Sequence, residues 1–144
     1  MRFEKSCGVL VFQERPRRSF LLLVAGDRLD LPKGHTKRGE SEIDCALREL
    51  EEETGLSRTA IKLVEGFRFE ATYAPNKRTE KTVVLFAGEL AGPCAIVTPD
   101  HDDYVWMPWK PPHDFRDFPT IHNGLSAWHD HVARSQQGAH RKAS

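Results

Sequence analysis

Between Ser41 and Thr54 the chain carries a segment, SEIDCALRELEEET, whose two sides make opposite demands on any fold. At 100° per residue, Ile43, Ala46, Leu47, Leu50 and Thr54 gather into an apolar stripe that needs a core to lie on. Glu49, Glu52 and Glu53 stand at i, i+3 and i+4 on the other side. Like charges at that spacing destabilise an isolated helix by roughly 0.2–0.5 kcal/mol per pair. The helix therefore has to pack one side on an apolar surface and have the other compensated. Its ends are marked: Ser41 suits the N-cap, Asp44 can answer it in the manner of a capping box, and Gly55 suits the left-handed position after the last turn. The acidic side has two readings, a solvated charged face or a set of hard oxygen ligands for Mg²⁺ or Mn²⁺.

The surrounding sequence supplies the apolar surface. Ser6–Phe12 and Ser19–Ala25 are short apolar runs joined by the polar QERPRR, which predicts a hairpin of buried strands. Asp27–Pro32 reads as a loop leading into LPKG. Lys62–Tyr73 and Lys81–Leu90 are strand-like on either side of APNKRTE, Tyr104–Trp109 is a short strand stopped by Pro111 and Pro112, and Phe118–Val132 is a last helix. Trp106 and Trp109 are expected to pack the sheet on that helix. This order predicts a mixed sheet between helices. With 144 residues the chain suits one domain, taken as residues 1–134, with a polar tail at 135–144.

Composition narrows the partners. Lys plus Arg and Asp plus Glu both number 21, so there is no basic excess of the kind that non-specific binding to long nucleic acid requires. A small phosphorylated ligand stays compatible, because charge can be segregated into one cleft. Cys7, Cys45 and Cys94 make an odd set without CxxC spacing, so neither a disulfide framework nor a zinc site is expected. A reducing cytoplasm is the simplest compartment. The N-terminal apolar run is too short and too charged at its flanks for a signal peptide, and no stretch approaches the roughly 20 apolar residues of a membrane span. His122, His129, His131 and His140 share no ligand spacing with a second cluster and read as surface helix histidines.

Three neighbours of the acidic stripe favour metal ligation. Gly34 precedes a loop that ends in another acid, Glu40; Arg48 adjoins the glutamates and can lock a carboxylate through a bidentate pair; and a second glycine closes the helix. Written out, GHTKRGESEIDCALRELEEETGL fits G-x5-E-x7-R-E-U-x-E-E-x-G-U, with U a bulky aliphatic, at Gly34, Glu40, Arg48, Glu49, Leu50, Glu52, Glu53, Gly55 and Leu56. At average residue frequencies a chance match is on the order of one in a billion per starting position.

This pattern is the Nudix box, and the chain resembles the Nudix hydrolases. The resemblance implies an α/β/α sandwich with a central mixed β-sheet, and hydrolysis of a nucleoside diphosphate linked to another group. It implies Glu49 and Glu53 as direct metal ligands, Glu52 as a ligand or the base for the attacking water, and the Gly34 carbonyl in the metal shell. Glu40 would support the site at longer range and Arg48 would orient the glutamates. The metal would be Mg²⁺, with Mn²⁺ as a substitute.

The flanks, CGVLVF, FLLLVA, LPKGH, EGFRFEATYAPNKRTEKTVVLF and DHDDYVW, resemble the asymmetrically cleaving diadenosine tetraphosphate hydrolases over roughly Ser6–Trp106. That family places an adenine-stacking tyrosine about 17 residues after its box, and Tyr73 lies 17 residues beyond Leu56. By the same resemblance Lys33 and His35 face the phosphate chain, with Lys77, Arg78 and Lys81 as a basic patch in which Lys81 matches best. Asp100 is the best-aligned acid of the later loop, with Asp102 and Asp103 as competitors, and Tyr104 is either a second adenine contact or strand packing. Two departures stand out. The family's acid is usually Glu rather than Asp, and its tryptophan-containing approach to PPKGH is replaced by RLDLPKGH. The expected reaction is cleavage of diadenosine tetraphosphate to ATP and AMP. Other dinucleoside polyphosphates, diphosphoinositol polyphosphates and capped RNA ends are the alternatives, and a non-catalytic nucleotide-binding module is a third class. The PGGG loop of the diphosphoinositol relatives is absent, and Ala71 stands where ADP-ribose hydrolases have proline. Oligomeric state is left open.

Overall fold

A computed structural model describes the backbone of residues 1–143 and the side chains of residues 1–137. Eight strands and two helices follow in the order β1 (Arg2–Gln13), β2 (Ser19–Ala25), β3 (Arg28–Asp30), β4 (Lys33–His35), α1 (Glu42–Thr54), β5 (Ile61–Leu63), β6 (Phe69–Asn76), β7 (Thr79–Leu90), β8 (Asp103–Pro108) and α2 (Pro119–Ala143). All eight strands belong to one mixed sheet, with the helices on its two faces. That is the α/β sandwich expected.

The two longest strands make the centre. β1 runs parallel to β7 from Arg2↔Thr79 to Phe12↔Glu89, and buried on both sides they read as apolar runs rather than alternating ones. Alternation still sorts their side chains between faces. Cys7, Val9, Val11, Val84 and Phe86 pack with α1, and Leu10, Phe12, Leu85 and Ala87 pack with α2. β6 and β5 border β7, and β2 carries β3 and β8.

The other edge of β1 is shared. β2 takes its last two residues, Phe12↔Phe20 and Gln13↔Ser19, whereas β4 takes Ser6↔His35 to Gly8↔Lys33. At this split Gly8 lies so close to the incoming chain that a Cβ would stand 2.5 Å from the Pro32 carbonyl. The short strand β4 thus leaves the sheet directly into the loop before α1.

Several predicted boundaries move. β1 begins four residues early because β7 offers it backbone partners from Thr79 onward. The Asp27–Pro32 loop contains β3, which folds back on β2 after Gly26 at φ 60°. The single stretch Lys62–Tyr73 is two strands, interrupted at Gly66 with φ 81°. The last helix runs on to Ala143, through residues that are mostly good helix formers. Its apolar side continues only to Val132. The His140 side chain lies outside the described residues. No described helix is long and apolar enough to cross a membrane.

Candidate active site

The box helix is capped as its sequence demands. The Ser41 hydroxyl accepts from the Asp44 N–H at 3.1 Å, and Gly55 takes φ 76° while donating to the Glu51 carbonyl. The Asp44 carboxylate itself accepts from Arg58 at 2.7 Å. The buried stripe is Cys45, Ala46, Leu47, Leu50 and Thr54. Ile43 is not in it and stays 45% exposed, because the first turn lies over the charged Lys5 and Arg68 rather than the apolar middle of the sheet. Cys45 shares a side with Glu49, but β4 covers that side; its buried thiol donates to the Gly34 carbonyl at 3.4 Å.

Arg48 organises the acids. Its Nε and Nη2 donate to the two Glu40 oxygens at 2.7 and 3.0 Å, a bidentate pair. Nη1 donates to Glu49 at 2.8 Å and to both Glu52 oxygens at 3.2 and 3.1 Å, and Nη2 also reaches the His35 carbonyl at 3.0 Å. This pairing, together with the Lys37 N–H, holds the Glu40 carboxyl down at about 2 and pushes the Arg48 guanidinium further up. The repulsion foreseen along the helix is thus partly offset by one guanidinium.

Glu53 lies apart from Arg48. Its Oε2 accepts from the Lys33 N–H at 3.2 Å, and burial, with Asp30 and Glu49 nearby, lifts its carboxyl to about 7. Gly34 is required beside it, since a Cβ there would fall on the Glu49 carboxylate. Among the described residues, no three His, Cys, Asp or Glu side chains already stand as a metal-holding group; Glu52 turns toward Arg48. The donors nevertheless fit a hard divalent cation. Glu49 Oε2 and Glu53 Oε1 make no hydrogen bond among the described residues, and the Gly34 carbonyl, which pairs with Cys7 in the β1–β4 ladder and takes a weak thiol donor from Cys45, keeps lone-pair capacity for a cation.

A second group of candidates forms a row across the sheet. Tyr73 is paired with Lys81, Lys81 with Glu4, and Ser6 with His35, all on the face that α2 covers farther along. Glu4 joins the row: its carboxylate lies 3.4 Å from Lys81 Nζ, 3.7 Å from His35 Nε2 and 3.0 Å from Arg2 Nε. Tyr73 is 46% exposed beside it. Lys77 and Arg78 occupy the exposed turn beyond, next to Arg2. Tyr104 is not part of this row. It pairs with Leu23 and shares the α1 face with Trp106. Trp106 accordingly packs in the α1 cluster, whereas Trp109 packs with α2 as expected.

The acidic loop before β8 divides its labour. Asp102 accepts from the Gly26 N–H at 2.7 Å and pins the β2–β3 turn, and Asp103 accepts from the following N–H at 2.8 Å. Asp100 is exposed and makes no hydrogen bond among the described residues. The neighbour that sequence reasoning passed over is His101. Its side chain is 6% exposed, Nε2 lies 3.7 Å from Asp30, and Nδ1 is buried without a partner among the described residues. Asp30 in turn meets Lys33 Nζ at 3.1 Å and acts on Glu53 through its charge. Glu4, Asp30 and His101 lie far apart in the chain; the signals were the departure RLDLPKGH, which contains Asp30, and the piece DHDDYVW, where His101 stands among the candidate acids.

The family model described as NUDIX domain matches residues 2–128. The bis(5'-nucleosyl)-tetraphosphatase (asymmetrical) of Rattus norvegicus is 32% identical over 115 residues, covering 72% of this chain and 78% of that protein. Its counterpart from Sus scrofa is 33% identical over the same shares. A crystal structure of a C. elegans Ap4A hydrolase binary complex superposes with a TM-score of 0.78 over 90% of this chain and 98% of that one, at 23% identity.

Proposed function

Because the chain belongs to the Nudix family and is a Nudix pyrophosphohydrolase, we propose that it cleaves diadenosine tetraphosphate to ATP and AMP with Mg²⁺. The carrying observation is the row from Tyr73 through Lys81, Glu4 and His35 to the Arg48-bound carbonyl beside the box. It joins an aromatic surface for a base to cations for a phosphate chain, in a chain whose relatives are named for that reaction.

In this reading Tyr73 stacks on an adenine, an interaction worth about 1–3 kcal/mol per base. Lys33, His35, Lys77 and Lys81 bind the polyphosphate. Glu49, Glu53 and the Gly34 carbonyl hold the metal, and Glu52 serves as a further ligand or as the base for water. Mg²⁺, when bound, neutralises phosphate charge and lowers the pKa of the attacking water. Arg48 keeps the glutamates in register on a rigid helix, so the ligands are placed before substrate arrives. Asp100, exposed in the loop before β8, supplies a further acid.

Product analysis tests the proposal. Incubation with diadenosine tetraphosphate and Mg²⁺ should yield equal amounts of ATP and AMP, and none when the metal is chelated. Two ADP molecules would refute the asymmetric cleavage. An inert dinucleotide alongside rapid hydrolysis of a diphosphoinositol or of ADP-ribose would refute the substrate.

A further inference from the structure

A cavity of about 400 Å³ opens between α2 and the chain after β8, and nothing in the hydrolytic scheme uses it. One of its wall residues, Trp109, packs edge-on against Phe12 and Phe20, with ring centroids 5.9 and 6.2 Å apart. Glu4 marks the other end of β1, eight residues and roughly 26 Å away. The volume falls within the range of small-molecule pockets, about 300–1,000 Å³.

Its polar groups are specific. Trp109, His113, His122 and Asp130 line it. The Lys110 N–H donates to His113 Nε2 at 3.1 Å, and the Phe115 N–H donates to His122 Nδ1 at 3.1 Å. A ring nitrogen that accepts an amide proton carries its lone pair there, so the proton of a neutral imidazole sits on the other nitrogen. His113 therefore presents Nδ1–H and His122 presents Nε2–H. Neither free nitrogen is buried without a partner, so both remain reachable. Burial also lowers the His113 pKa, in keeping with a neutral ring.

These tautomers decide the ligand. A metal needs a lone pair where His113 and His122 each hold a proton, so two backbone amides leave His129 as the one lining imidazole among the described residues free to ligate it. Phosphate needs cations, and no Lys or Arg is among the lining residues. Two fixed N–H donors, the Trp109 indole, whose centroid lies 5.0 Å from that of His113, and the Asp130 carboxylate, 3.7 Å from His129 Nδ1, instead match a flat ring that has acceptor atoms and an amino group. We propose that this cavity is a second binding site, distinct from the hydrolytic cleft, for an uncharged amino-substituted heteroaromatic base such as that of adenosine.

The test uses the full chain, metal-free in EDTA, with adenosine and inosine as probes. Adenosine should shift the ring ¹H–¹⁵N resonances of His113 and His122 saturably. Inosine, which places a carbonyl before Asp130 instead of an amino group, should bind at least about tenfold more weakly. Trp109→Ala should weaken adenosine by about tenfold or more through lost stacking. Trp109 also packs on Phe12, so Ser126→Trp serves as the variant that leaves the core alone. Ser126 is exposed at the cavity, and the new side chain should block adenosine while Mg²⁺-dependent hydrolysis persists. Adenosine shifts that survive Ser126→Trp, or no saturable shift in the parent, would overturn the site. In a parallel titration without EDTA, saturable Zn²⁺ binding that perturbs both rings would overturn the tautomer argument.

Discussion

At Glu53 burial and chemistry pull against each other. A carboxyl lifted from 4.5 to about 7 keeps a proton in the folded chain that the unfolded chain surrenders between those values. Its contribution to stability is complete below about pH 4.5 and is lost as pH rises through about 7. A cation reverses the preference, since it binds the ionised form. Melting curves in EDTA should therefore fall between about pH 5 and pH 8 more steeply for the parent than for Glu53→Gln, and Mg²⁺ should raise the parent's Tm more at the upper pH. Parallel curves would remove the buried-carboxyl account. Glu53→Gln should also lower kcat by more than the roughly 10–100-fold typical of losing a ligand's supporting partner, with folding intact. A rate near the parent's would remove Glu53 as an essential ligand.

At the scale of elements, α1 shows what its own sequence could and could not reveal. The caps at Ser41 and Gly55 are local: each depends on a side chain or a left-handed backbone within one turn, so they were legible. The exchange of Ile43 for Cys45 in the buried stripe was not, because it depends on β4 lying against one side of the helix. The same holds for the site. The box acids share one helix and one spacing, whereas Glu4, Asp30 and His101 arrive only through strand register and loop packing. Two substitutions separate helix stability from site geometry. Ser41→Ala should cost about 1 kcal/mol and roughly 2–4 °C in Tm with kcat unchanged. Gly34→Ala sets a methyl against the Glu49 carboxylate, so it should cost about 1–3 kcal/mol and also abolish most hydrolysis. Equal kinetics for the two variants would mean that the Gly34–Glu49 contact has no bearing on catalysis.

Over the whole molecule a formal charge of zero conceals two fields, one acidic along the box and one basic along Arg2, Lys77, Arg78 and Lys81. Composition could give only the sum; strand pairing separates the signs. A tetraphosphate lying between them gains from the basic end only if those cations are free to turn to it. Lys81 is the decisive case. Its amine meets Glu4 at 3.4 Å, with the lysine side chain 36% exposed. Such half-exposed pairs typically add about 0–1 kcal/mol to stability, whereas a hydrogen bond to a charged phosphate is worth about 1.5–3 kcal/mol. Lys81→Met keeps the stem and removes the charge. KM for diadenosine tetraphosphate should rise about tenfold or more, kcat should stay within about twofold, and Tm should barely move. Added salt should raise the parent's KM and flatten the difference between the two. A Tm loss with unchanged KM would instead make Lys81 a partner of Glu4 alone, and the basic end would no longer account for recognition of the phosphate chain.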